Sequence, residues 1–203
     1  MNRPLNILTL STLFPNRSAP NFGIFVERQT AELASRPEAM VTVINPVGMP
    51  PWPLNRHKQY QPIRGLALHE AWRGLDIHRP RFRLIPKIGG PDNARRIADA
   101  ILPLARTLHG DTPFDVIDAE FFYPDGPAAM RLADALGIPF TIKARGADIH
   151  HWGSDPACRD QILQAAEKAS ALLAVSEALK QDMIALGMDG SKIAVHYTGL
   201  DQD

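Results

Sequence analysis

The sequence predicts an α/β fold: a doubly wound, mostly parallel, Rossmann-like sheet with helices on both faces. Three observations lead there. Short apolar runs recur along the chain, each about the length of a strand buried on both faces. Helical apolar periodicity fills the intervals between them. The two patterns alternate almost throughout, which implies right-handed βαβ crossovers. In such sheets, ligands sit beyond the carboxyl ends of the strands.

Taken in order, the first strand is Leu5 to Leu10. It leads into a long loop, Ser11 to Phe22, and a helix beginning near Gly23 with Val26, Leu33 and Ala34 on its apolar face. Val41 to Ile44 is the second strand. Pro46 to Pro91 then breaks the rhythm with eight of the chain's 18 prolines, an elaboration in which Ile77 to Pro86 could form an edge strand. Ala94, Ile97, Ala98, Ile101, Ala105 and Leu108 share one helix face, with Pro103 expected to kink that helix. Val116 to Ala119, Phe140 to Ile142, Leu172 to Val175 and Ile193 to Val195 complete the strands. The helices between them present Ala129/Leu132/Ala133/Leu136, Ile162/Leu163/Ala166/Ala169 and Leu179/Met183/Leu186.

Composition narrows the function. With 203 residues, 45% hydrophobic and 22% charged, the chain can bury one sizeable core. No apolar run approaches the roughly 20 residues that span a bilayer, and the amino terminus lacks the apolar region of a signal peptide, so a cytoplasmic protein is expected. A single cysteine, Cys158, excludes an internal disulfide framework and a cysteine-rich zinc site. The zero net charge hides an asymmetry: Arg56 to Arg96 carries +7 and the remainder −7. That stretch suits an anionic partner, either a phosphorylated small molecule or a lipid headgroup surface, as well as it suits a solvated basic loop. Nucleic acid is not expected, because aromatic residues are sparse there and no reading motif accompanies the charge.

Several chemistries lack their signatures. The dinucleotide fingerprint G-x-G-x-x-G, a Walker sequence and the G-x-S-x-G elbow are all missing, which disfavours NAD-dependent oxidoreduction, P-loop chemistry and serine hydrolysis. His150 and His151 are adjacent and have no supporting ligand cluster, so no metal is expected. Three segments remain. Gly23 could let backbone amides approach a phosphate at a helix amino terminus, or simply make a turn. Glu120 and Tyr123 follow the Val116 to Ala119 strand and would face the cleft, while Asp125 would cap the next helix, with Pro127 at its first position. Arg145 could bind a phosphate or sugar and Asp148 accept sugar hydroxyls; an Arg145/Asp148 ion pair is the competing explanation.

In order, these pieces resemble the N-terminal half of GT-B-fold glycosyltransferases of the retaining family four. The matching segments are Ser11 to Asn16 with Pro20 to Val26, Tyr123-Pro124-Asp125-Gly126, Arg145-Gly146-Ala147-Asp148-Ile149, Val175 to Leu179, and Tyr197-Thr198-Gly199-Leu200-Asp201. The resemblance implies a Rossmann-like N-terminal domain over residues 1–196 and the start of an interdomain crossover over 197–203, with a nucleotide-sugar-binding C-terminal domain beyond. It implies retaining sugar transfer from a nucleotide-sugar donor to a hydroxyl acceptor, without cofactor or metal, by an enzyme inactive as this half alone. Asn21, Phe22 and Gly23 would pack against the donor diphosphate. Tyr123, Asp125, Arg145, Gly146 and Asp148 would bind acceptor or sugar. Relatives use lipid-linked acceptors at the inner membrane face, which would give the basic stretch a peripheral role on an anionic membrane. Where the family has a His-Ala-His-like stretch, this chain reads Asp118-Ala119-Glu120, making Glu120 the candidate catalytic residue. The alternative is a non-catalytic carbohydrate- or partner-binding module. A flavodoxin-like module lacks its acidic cluster after the first strand.

Overall fold

A computed structural model describes residues 3–86 and 89–199. The elements run β1 (Leu5–Leu10), α1 (Ile24–Ala34), β2 (Ala39–Ile44), β3 (Val47–Met49), α2 (Gln61–Arg64), β4 (His69–Trp72), β5 (Leu75–His78) and β6 (Arg81–Arg83). They continue with α3 (Asn93–Asp111), β7 (Val116–Ala119), α4 (Asp125–Leu136), β8 (Phe140–Ala144), α5 (Ala147–His150), α6 (Pro156–Lys168), β9 (Ala171–Ala174), α7 (Glu177–Leu186) and β10 (Ile193–Val195). Eight strands form one sheet in the order β10-β9-β8-β7-β1-β2-β5-β4. Every pairing in it is parallel except β4 with β5. Chain order reverses between β1 and β7, and the crevice above that switch point is where such a sheet binds its ligands.

The two faces differ. Leu8, Leu10, Ile117, Ala119, Ile142, Ala144 and Leu172 point to one face and form a continuous core with Ala94, Ile97, Ile101 and Ala105 of α3, Leu132 of α4 and Ile162 of α6. Cys158 is buried in this core, and the predicted α3 face is the one it uses. On the opposite face, α1 packs Val26 against Val43 and Ile77 beside Phe14. Past α1 the strands alternate: β7 and β9 bury every second residue only. The expected two-sided burial therefore holds for β1 but not for β7 and β9. Asp118 and Thr141 lie on this second face in register with Thr9, and no core can cover an unneutralised charge without a large desolvation cost.

The proline-rich segment departs from the expectation as well. Ile77 to Pro86 is not one edge strand. β5 lies inside the sheet between β2 and β4, while β6 pairs with β3 in a separate two-stranded sheet. The split falls at Arg79-Pro80: Arg79 N–H donates to Leu68 O, but Pro80 has no N–H and instead accepts Val47 N–H at 2.9 Å. The basic excess is partly internal too, since Arg79 is fully buried. α3 runs as one helix with Pro103 inside it.

Candidate functional site

The switch-point crevice is built first by the loop after β1. Ser11 N–H donates to Ile44 O, and Asn45 Nδ2 donates to Ser11 O at 2.7 Å. The buried Arg79 guanidinium donates to Asn45 Oδ1, to Pro15 O at 2.8 Å and to Glu70 Oε1 at 2.9 Å. Across the crevice, Thr12 N–H donates to Asp125 Oδ2 at 2.9 Å. Asp125 therefore does not cap α4; the helix begins at Asp125 itself, with Pro124 at the cap position and Pro127 third. Burial pushes the Asp125 carboxyl up to about 8, against its hydrogen bonds with Thr12. Its second oxygen is buried without a partner.

This anchored loop delivers Gly23 to the amino end of α1. Gly23 has φ +71°, and a Cβ there would come within 2.5 Å of the Leu13 carbonyl. Conformation and contact both demand glycine at this position. Asn21 and Phe22 are exposed beside it. One turn on, the Arg145 guanidinium stands over the half-exposed Phe25 ring, 5.1 Å from its centroid.

Arg145 joins a charged cluster at the ends of β7 and β8. Glu120 is 2% exposed. Lys143 Nζ donates to its Oε1 at 2.8 Å and Arg145 Nη2 to its Oε2, while Arg145 Nη2 also reaches Gln29 Oε1 at 2.8 Å. Burial alone would raise the Glu120 carboxyl, but the two cations and their hydrogen bonds outweigh it and hold it below its ordinary value. Asp118, which accepts from Thr141 Oγ1 at 2.7 Å, is raised by burial and by the charge of Glu120. Glu120 thus has both carboxylate oxygens engaged by cations, one by Lys143 and one by Arg145. Arg145 Nη1 is buried with no hydrogen-bond partner.

The other expected site residues have different placements. Asp148 is fully buried and accepts main-chain N–H bonds from Phe122 at 2.7 Å, Arg145 at 3.0 Å and Gly146 at 2.8 Å. It fastens the turn after β7 to the turn after β8, with no surface left for a sugar hydroxyl, and the Arg145 guanidinium pairs with Glu120 instead of Asp148. Gly146 takes φ +113° and spends its N–H on Asp148. Tyr123 lies beneath the surface, its hydroxyl donating to Gly90 O at 2.6 Å and its ring packed on Trp152. His150 pairs with Asp182 at 2.9 Å. The sequence reading gave no role to Lys143, Gln29 or Phe25. The Lys143 signal was there: Asp118/Glu120 and Lys143/Arg145 are each i, i+2 pairs at the ends of consecutive strands, which places opposite charges on one face.

Two clefts lie on this side of the molecule, the first of them lined by the cluster. One, of about 560 Å³, runs along the open sheet face between α1 and residues 196–199 and is lined by Arg28, Arg36, Asp118, Glu120 and Lys143. The other, of about 520 Å³, lies beyond β1 and β2 and is more apolar, lined by Phe14, Phe22, Ile63, Leu66, Phe82 and Pro124. Phe22 joins the second cleft directly to the Gly23 loop.

A family model described as Glycosyltransferase Family 4 matches residues 26–203. TuaC of Bacillus subtilis (strain 168), assigned by name as a teichuronic acid biosynthesis glycosyltransferase, is 28% identical over 197 residues, covering 94% of this chain and 49% of that protein. The crystal structure of Anabaena HepE in complex with UDP and glucose superimposes with a TM-score of 0.60 at 14% identity, over 97% of this chain and 45% of that one. The apo structure of the lipopolysaccharide outer core galactosyltransferase WaaB gives 0.59 at 12% identity, over 98% and 47%. A UDP-GlcNAc 2-epimerase from Methanocaldococcus jannaschii gives 0.55 at 12% identity, so the architecture alone does not name a reaction. The chain spans about half the length of each of these proteins. With the Rossmann-like sheet of GT-B proteins and a family match over most of its length, this chain belongs to glycosyltransferase family 4.

Proposed function

We propose that the chain is the acceptor-side half of a retaining glycosyltransferase, which moves a sugar from a nucleotide-sugar donor to a hydroxyl acceptor together with a C-terminal nucleotide-sugar-binding domain. The observation that carries this reading is the junction at the switch point. Arg145 stands there over the ring of Phe25, two residues beyond Gly23, and keeps one buried nitrogen without a partner. Asn21, Phe22 and Gly23 present the amino end of α1 to the donor diphosphate, where backbone N–H groups and the helix dipole favour negative charge. Arg145, oriented by Glu120 and Gln29, adds a fixed positive charge on the same side. Charge developing on the leaving diphosphate is stabilised by this preorganised set, with no metal in the step. Glu120 acts as the orienting residue, and Asp148, Gly146, Asp125 and Tyr123 hold the turns in place.

The apolar cleft beside Phe22 takes the acceptor. HepE is crystallised in complex with UDP and glucose, and TuaC is named for teichuronic acid biosynthesis. The name of TuaC supports a sugar-polymer acceptor for this chain, and the apolar lining of the cleft suits one carried on a lipid. Arg56, Lys58 and Arg64 lie exposed near Trp52, which is 72% exposed, and suit peripheral contact with an anionic inner membrane face from the cytoplasm. Kinetics of the full-length enzyme test the assignment. Arg145→Ala is expected to lower kcat by about 10²-fold or more, and Ile63→Trp to raise the acceptor KM while leaving the donor KM in place. Unchanged kinetics in folded forms of both variants would remove the proposal.

A further inference from the structure

On the sheet edge farthest from β10, the register of the β4/β5 hairpin brings together three residues to which the transferase reading gives no role. His69 lies directly opposite His78, and Asp76 precedes His78 by two positions on the same strand. All three side chains therefore leave one face of the ribbon. His69 Nε2 is 2.5 Å from Asp76 Oδ1 and His78 Nε2 is 3.4 Å from Asp76 Oδ2. One ligand atom from each residue lies within 4.8 Å of the others. The imidazoles stack with centroids 4.3 Å apart and planes 5° from parallel. His78 Nε2 is buried with no hydrogen-bond partner, an unmet polar atom aimed at the same carboxylate.

We propose that His69, Asp76 and His78 form a zinc site that clips the edge hairpin. Two imidazole nitrogens and one carboxylate oxygen are ligands zinc takes at about 2.0–2.2 Å, which sets ligand atoms about 3.3 Å apart in a tetrahedron, with water as the fourth ligand. The His78 to Asp76 separation already matches. His69, whose side chain is 60% exposed, would swing out of the stack to converge on the ion, while His78, at 12%, would be the less exposed ligand. The ion would give His78 Nε2 its partner. It would also separate His69 from Asp76 from their present 2.5 Å contact to metal-ligand spacing. The site is structural, since it sits across the sheet from Glu120 and Arg145, with β2 and β1 between.

Calorimetric titration of zinc into the tag-free, chelator-stripped full-length protein tests this, with thermal unfolding as a second readout. One zinc per hairpin is expected, together with a rise in Tm. His69→Ala, at an exposed position that leaves the fold intact, should weaken that binding by about tenfold or more and abolish its share of the Tm rise. His78→Asn and Asp76→Asn should do the same, and His150→Ala should change neither. The proposal is overturned if zinc does not bind, if His69→Ala binds with wild-type affinity and stoichiometry, or if one ion is shared between two chains. None of these outcomes touches glycosyl transfer, so the site stands or falls separately from the proposed activity.

Discussion

The same sheet presents two unlike faces. Toward α3, α4 and α6 it is sealed by aliphatic side chains, with Leu8, Leu10, Ile117 and Ile142 fully buried. Toward α1 it buries apolar residues only at one end, and from β7 outward it carries Asp118, Thr141 and the Glu120-centred cluster. The first face obeys close packing, where every methylene counts. The second obeys electrostatics, where each charge stands by its partner. Buried ion pairs are weak sources of net stability, so the comparison points away from stability as what the ion cluster supplies.

The sharpest way to break that comparison is to remove the central carboxylate. Glu120→Ala leaves Lys143 and Arg145, 7% and 5% exposed, without their counterion. A loss of about 3–5 kcal/mol is expected in urea unfolding. Replacing Glu120, Lys143 and Arg145 together by methionine should recover most of that loss while abolishing transfer by the full-length enzyme. If the triple variant is as unstable as the single one, the cluster is a stability element and the contrast between the faces collapses.

On the sealed face, Ile142→Ala should cost about 2–5 kcal/mol, read in the same experiment. No substitution of its neighbours is expected to rescue it as the charge-free triple variant rescues Glu120→Ala. Asp125 probes the seam between the two. Its carboxyl is raised from an ordinary 3.8 to about 8, so the folded chain keeps a proton that the unfolded chain releases. The associated stability is complete at low pH and drains away as pH rises through that window, at about 1.4 kcal/mol per pH unit. Unfolding measured from pH 5 to 8 should lose most of this slope in Asp125→Asn. An identical slope in the variant assigns the proton elsewhere. The smallest effect belongs to the surface: reversing Arg56 and Lys58 to glutamate should weaken binding to anionic vesicles by a few fold per charge at low salt, with no change in Tm.

Much of this was legible from periodicity. α3 buries Ala94, Ile97, Ala98, Ile101 and Ala105 as its spacing selects, with Leu108 partly buried, and α1 starts at Ile24, directly after the Gly23 turn near which it was expected. Asp155 and Ser176, whose side chains accept from the first turns of α6 and α7, were not singled out as caps in the sequence. The second face was less legible, because a run such as Val116-Ile117-Asp118-Ala119 reads as apolar whether one side or both are covered. Pairing partners were illegible as well. Nothing local says that His69 meets His78, or that Asp148 serves Phe122 from 26 residues away. The sequence left an Arg145/Asp148 ion pair open, because Asp148 is near in sequence; the guanidinium pairs with Glu120, which only the fold brings close.

The bond from Thr12 N–H to Asp125 joins residues 113 apart in sequence, and Arg79 fastens Pro15 from 64 away. No contact of that span forms early, since closing so long a loop precedes any reward. The loop after β1 is therefore expected to arrive late in folding, taking its shape only after β7 and α4 have docked against β1. Hydrogen exchange reads this order directly. The Thr12 amide should acquire protection together with the α4 amides and behind those of β1, so the switch-point edge of the molecule matures after the scaffold that carries it.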